Sequence, residues 1–142
     1  MRFLTFTLAT LLPIAAAAQG APGSHFIENW DLDGDGAVTI AELTEKRGDV
    51  FYTFDYDENG LLDEEEYFYF DEARANDMKN QGDEAQGKMG RVQEGMQMAF
   101  NDADGDGMVS EEEFLAKAAD WLTLIDRDAS GDVTTADFGP RG

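Results

Sequence analysis

The sequence predicts an all-α protein made of two duplicated halves, on three observations. Four acidic dodecads recur, each with glycine at its sixth position: residues 31–42, 55–66, 102–113 and 126–137. The first pair and the second pair of dodecads have the same internal spacing, so a two-unit block has been repeated. Between the dodecads the apolar residues keep helical phase.

In the first dodecad Asp31, Asp33, Asp35 and Glu42 hold positions one, three, five and twelve, with Gly36 at six. The second places Asp55, Asp57, Asn59 and Glu66 there with Gly60, and the third Asp102, Asp104, Asp106 and Glu113 with Gly107. This is the pattern of a calcium loop. A hard cation takes six to eight oxygens at about 2.3–2.6 Å, so a tight loop must turn alternate short carboxylates inward. It adds a backbone carbonyl at position seven and a longer bidentate Glu at twelve. The position-seven carbonyls are those of Ala37, Leu61, Met108 and Asp132. Glycine at six takes the positive φ of the bend at little steric cost.

The fourth dodecad departs from the rule. Asp126 and Asp128 stand at one and three, but Ser130 is at five and Asp137 at twelve, where the side chain is one methylene shorter. Three to four Ca²⁺ ions are therefore expected. The fourth loop either binds more weakly, takes the smaller Mg²⁺, or serves only as a structural partner.

Residues around the dodecads repeat as well. Position eight is Val38, Leu62, Val109 and Val133, and Leu43, Tyr67, Phe114 and Phe138 follow the loops. Ile27 and Trp30, Phe51 and Phe54, Met98, and Leu122 with Ile125 precede them, and only Asn101 breaks the apolar pattern. From about Ser24 to Phe138 the chain resembles the EF-hand superfamily, and more particularly small exported bacterial calmodulin-like proteins. The resemblance implies four helix–loop–helix units with short β contacts between position-eight residues and an apolar core between the helices.

The segments are expected in this order. Residues 1–18 read as a secretory signal: Arg2, an apolar run from Phe3 to Ile14, and small residues Ala15 to Ala18 before the cleavage point. Residues 19–23 form a flexible lead, and 24–142 the calcium-binding domain, with copy one at about 24–80 and copy two at about 84–142. Within copy one, Leu43, Val50 and Phe54 keep one helical phase, which predicts a single helix despite Gly48. Within copy two, Phe114, Ala118, Trp121, Leu122 and Ile125 do the same with no breaker. Two helices, from Tyr67 to about Met78 and from about Glu84 to Asn101, join the copies around a bend at Asn80–Asp83. Met89, Val92, Met96, Ala99 and Phe100 form the stripe of the second. One-helix connectors hold adjacent loops apart, so loop two is expected to meet loop three through Leu62 and Val109. Loop one then meets loop four through Val38 and Val133, which draws Trp30 toward Trp121.

Composition narrows the function further. A net charge of −21 and a single basic pair, Lys46–Arg47, exclude nucleic acid as a general partner, and no membrane contact is expected once the signal is removed. Without cysteine there is no disulfide framework and no lipid attachment site. Export to the periplasm or the extracellular medium follows from the signal. The methionines are expected in the core rather than on a target groove, and His25 solvated or at a helix start. Catalysis is not expected, because a loop position explains every close carboxylate pair that could act as acid and base. The chain therefore reads as an exported Ca²⁺ sensor or buffer, or alternatively as a calcium-stabilised module that holds an unidentified protein target.

Overall fold

The computed structural model describes residues 22–81 and 89–139. The expected signal at 1–18, most of the lead, the bend at Gly82–Asp83 and the helix start at Glu84 lie outside them. The described chain is mostly helical, with one small two-stranded sheet. In order come α1 (Ser24–Trp30), α2 (Ile40–Phe54), β1 (Leu61–Leu62), α3 (Glu64–Gln81) and α4 (Gly90–Glu94). Then follow α5 (Met98–Asn101), β2 (Val109–Ser110), α6 (Glu111–Ala116), α7 (Ala118–Ile125) and a 3₁₀ turn at Thr135–Asp137.

The first connector is one helix, as its apolar phase predicts. Thr39 caps α2 with its hydroxyl, while Glu42 reaches back to the Thr39 amide. Leu43, Arg47 and Phe51 follow at steps of four and share its buried face. Gly48 sits inside the helix without ending it. At about 1.5 Å per residue the 15 residues of α2 span about 22 Å, which separates loop one from loop two.

The loops pair as that separation requires. β1 and β2 run antiparallel, with Leu62 opposite Val109 and Leu61 opposite Ser110. Val38 and Val133 form an isolated antiparallel bridge. All four position-eight side chains are fully buried, so each pairing also closes one end of the core. In that core α2 packs on α6 and α7, bringing the two connectors face to face. Trp121 is buried edge-on to Trp30, with ring centroids 4.8 Å apart.

Three expectations about the helices are corrected. The second connector bends at Lys117, dividing α6 from α7. Ladder bonds still run from the Lys117 amide to Glu113 and from the Trp121 amide to Lys117, so the bend is local. It lies between Phe114, which faces α2, and Trp121, whose indole donates to the Val92 carbonyl of α4 at 3.2 Å. Each end is held by a different neighbour. The helix expected to reach Asn101 is also broken, into α4 and α5. The break is at Gly95, where a Cβ would lie 1.8 Å from the Trp121 ring. Met89, Val92 and Met96 are buried as the stripe predicts, but Ala99 is exposed. After the fourth loop the described chain makes only the 3₁₀ turn, where a full exit helix was expected.

The broken helix leaves carbonyls that one buried polar group satisfies. Arg47 of α2 has no exposed surface. Its Nε donates to the Phe114 carbonyl at 2.7 Å, and its terminal nitrogens donate to the Gly95 carbonyl and to Asn101 Oδ1. The guanidinium carbon lies 4.0 Å from the centre of the Phe114 ring. Asn101 Nδ2 completes the group by donating to the Gly95 and Gln97 carbonyls and to the Tyr67 hydroxyl. Burial lowers the Arg47 pKa to about 10 and raises that of Tyr67 to about 12. Asn101, the polar exception in the sequence, is thus a core residue.

Of the methionines expected inside, Met78, Met89 and Met96 are buried and Met98 is partly buried, while Met108 is exposed. His25 lies in α1 with its ring nitrogen 3.2 Å from Asp77. Among the described residues no helix is long and apolar enough to cross a membrane.

Candidate metal sites

Each dodecad folds into a loop whose amides converge on the position-one carboxylate. The amide of the sixth residue donates to it in every loop: Gly36 to Asp31 at 2.7 Å, Gly60 to Asp55 at 3.0 Å, Gly107 to Asp102 at 3.0 Å and Gly131 to Asp126 at 2.8 Å. These four glycines have φ between 79° and 97°, as the bend demands. The fixed oxygens then face the carboxylates of positions three and twelve.

The structure brings positions one, three and twelve together four times. Asp31, Asp33 and Glu42 form the first group, and Asp55, Asp57 and Glu66 the second. Asp102, Asp104 and Glu113 form the third, and Asp126, Asp128 and Asp137 the fourth. Within each group a carboxylate oxygen of every member lies within 4.8 Å of the others. Position five is not in these groups. Asp35, Asn59 and Asp106 instead turn a side-chain oxygen to the position-seven amide of Ala37, Leu61 and Met108, at 2.8–2.9 Å. Each such bond stiffens the stretch that carries the position-seven carbonyl.

Position twelve is held by a residue that the sequence reading missed. Position nine is Thr39, Asp63, Ser110 or Thr134, and in each loop it pairs with position twelve in a capping arrangement. The signal was visible as [S/T/D]-x-x-[E/D] inside each dodecad. The same bonds that start the exit helix or turn therefore orient the last carboxylate of each group. Glu42 also accepts from the amides of Leu32 and Asp33 at 3.0 and 3.1 Å, tying the end of the loop to its beginning.

Loop four achieves the same closure with a shorter side chain. Asp137 accepts from Arg127 at 2.7 Å, Asp128 at 3.2 Å and Thr134 at 2.9 Å, and it is fully buried. The 3₁₀ turn after Thr134 winds more tightly than an α-helix, and Asp137 sits within that turn. Ser130 takes a different role from the side chains at position five elsewhere. Its hydroxyl donates to the position-seven carbonyl of Asp132 at 2.9 Å, engaging an oxygen that a cation would also use.

The charge pattern follows from this crowding. Partial burial opposes ionisation of Asp31, yet bonds from Gly36, Asp33, Gly34 and Asp35 outweigh it and lower its pKa. Asp33 accepts the Asp35 amide, but residual desolvation and the facing Asp31, Asp35 and Glu42 carboxylates prevail and raise its pKa. Asp102 and Asp104 repeat this pair. In loop four the order differs: Asp128 is lowered, chiefly by a bond from Ser130. In loops one and three the neighbouring carboxylates thus oppose ionisation at position three, a repulsion that a cation would relieve.

These donor sets fit a hard divalent cation: carboxylate oxygens in close groups, and no nitrogen or sulfur donor among the grouped residues. Residues 101–116 match the EF-hand family model. No curated protein and no solved structure matches the chain. The match spans the third loop, and the same carboxylate grouping recurs in the other three. Together they support calcium binding of the EF-hand type.

Proposed function

We propose that the chain is a four-site Ca²⁺-binding protein that works as an exported sensor or buffer and not as an enzyme. The observation that carries this reading is the fourfold grouping of carboxylates from positions one, three and twelve. Asp31, Asp33, Asp35, the Ala37 carbonyl and Glu42 would hold the first ion, and the corresponding residues of the other loops the rest. Bound Ca²⁺ supplies the charge that lets these carboxylates stay close. The chain supplies the loop amides that fix the position-one oxygens and the caps that fix position twelve. Loop four is the weak or Mg²⁺-tolerant site, because Ser130 engages the Asp132 carbonyl. Export rests on the apolar, alanine-ended start of the chain.

The nested pairing suits a sensor. Each half of the chain contributes one loop to each pair, so an ion in either half acts on both. Calorimetric Ca²⁺ titration of the full chain tests the reading. Three to four ions are expected, and Glu42→Gln, Glu66→Gln and Glu113→Gln should each weaken the ion of their own loop most. Absence of saturable binding up to about 10⁻³ M, the weak limit for loops of this type, would overturn it.

A further inference from the structure

Between α1, α2, α3 and α4 lies a cleft of about 290 Å³ that shares no residue with the acidic loops. That is close to the lower end of small-molecule sites, about 300–1,000 Å³. Trp30, Val50, Phe54, Phe70 and Met89 supply apolar wall, and Lys46 and Arg74 also line it. The polar lining includes His25 and Asp77, which are engaged with each other.

Both cations have donors to spare. Lys46 is half-buried and makes no ion pair or hydrogen bond among the described residues. Arg74 uses its terminal nitrogens on Gln93 and Asp71, and its guanidinium lies over Phe70, but its buried Nε has no acceptor. A buried donor without a partner is costly. In a chain with 31 acidic residues against 10 Lys and Arg, spare cationic donors beside an apolar cleft select for an anion with an apolar body. A basic amphipathic segment would meet like charge there. A second copy would bring another net −21, and residues 1–18 contain no acid to offer.

We propose that this cleft binds a free single-chain amphiphile with an anionic head, of the fatty-carboxylate class. The chain lies against Trp30, Phe54 and Phe70, and the head meets Lys46, with the Arg74 guanidinium beside it.

The test uses the full chain with Ca²⁺ and two fluorescent probes, anilinonaphthalene sulfonate and its uncharged relative phenylnaphthylamine. The sulfonate should bind saturably and be displaced by decanoate kept below the level of calcium-soap formation. Lys46→Gln and Arg74→Gln should each weaken the sulfonate by about tenfold, as expected for a lost charge-assisted contact, and change phenylnaphthylamine by less than about twofold. Lys46→Gln is decisive because Lys46 bonds to nothing in the described fold. Ala73→Trp, which fills the cleft, should abolish both signals while circular dichroism is unchanged. Equal response of the two probes to Lys46→Gln would leave only an apolar crevice and overturn the proposal. So would sulfonate binding that survives Ala73→Trp. Binding seen only when the chain starts at Gln19 would make its own N-terminal segment the occupant. Affinity that falls as protein concentration rises would make it a second copy.

Discussion

Val38 and Val133 exchange two backbone hydrogen bonds, 2.8 Å and 2.9 Å long, which join the first loop to the last. A loop that tightens around an ion shifts its position-eight residue, and that residue is bonded to only one other loop. Metal sites should therefore couple as one with four and two with three. Asp126→Asn is expected to weaken Ca²⁺ binding at loop one more than at loop two. Site-resolved NMR titration checks this, and equal weakening of loops one and two would remove the coupling argument.

Loops three and four should separate metal affinity from fold stability. Glu113→Gln removes the carboxylate proposed as the long bidentate ligand of a site with Asp at one, three and five, so it should cost more Ca²⁺ affinity than Asp137→Asn. Asp137→Asn should cost more stability, because the buried carboxylate accepts three loop amides and an amide side chain offers one acceptor oxygen. A loss of about 1–3 kcal/mol is expected. Calorimetry gives the first comparison, and urea unfolding in chelator the second.

Glycines at superficially similar places should respond in opposite ways. Gly48 lies inside α2, and a Cβ added there would meet only the Leu115 side chain, at 3.8 Å, so Gly48→Ala should stabilise by about 0.5–1 kcal/mol. Gly95→Ala should be severely destabilising, since its Cβ meets the Trp121 ring. Position four is left-handed in every loop: Gly34 and Gly105 in loops one and three, Glu58 and Ala129 in loops two and four. Gly34→Ala should cost about 1 kcal/mol through φ alone, because a Cβ there touches nothing. Ala129→Gly should gain somewhat less, since glycine also loosens the unfolded chain. Thermal melts at fixed Ca²⁺ distinguish the four.

Arg47 and Asn101 should behave as one unit. Arg47→Met leaves Asn101 Oδ1 without its Arg47 donor, removes the Arg47 bond from the Phe114 carbonyl, and takes one of two donors from the Gly95 carbonyl, at a cost of about 3 kcal/mol or more. Arg47→Lys should recover only part of this, since an ammonium cannot reproduce the planar fork. The double variant Arg47→Met/Asn101→Leu should lose clearly less than the two single losses added together. Additive losses in denaturant unfolding would show that the two side chains act independently.

The helical phase of Leu43, Val50 and Phe54 outweighed Gly48, and α2 is continuous. The same phase across Phe114, Ala118, Trp121 and Ile125 was no guard against a bend at Lys117. That bend separates contacts made to two different neighbours, and no breaker residue announces it. The loops were legible because their chemistry is local: within twelve residues, positions one, three, six and twelve set both the turn and the grouping of oxygens. The caps at Thr39, Asp63, Ser110 and Thr134 are equally local.

By itself the sequence determined the four acidic loops, the positions whose carboxylates group in each, and the nested pairing that a stiff α2 imposes. Only the tertiary structure decided that Asn101 is interior, that Gly95 ends a helix, and that a 3₁₀ turn brings Asp137 within reach of its loop amides. The reason is distance along the chain. Arg47 lies 54 residues from Asn101 and 67 from Phe114, so no local pattern marks them as partners. Their hydrogen bonds gain full value only after α2, α5 and α6 have excluded water from around them.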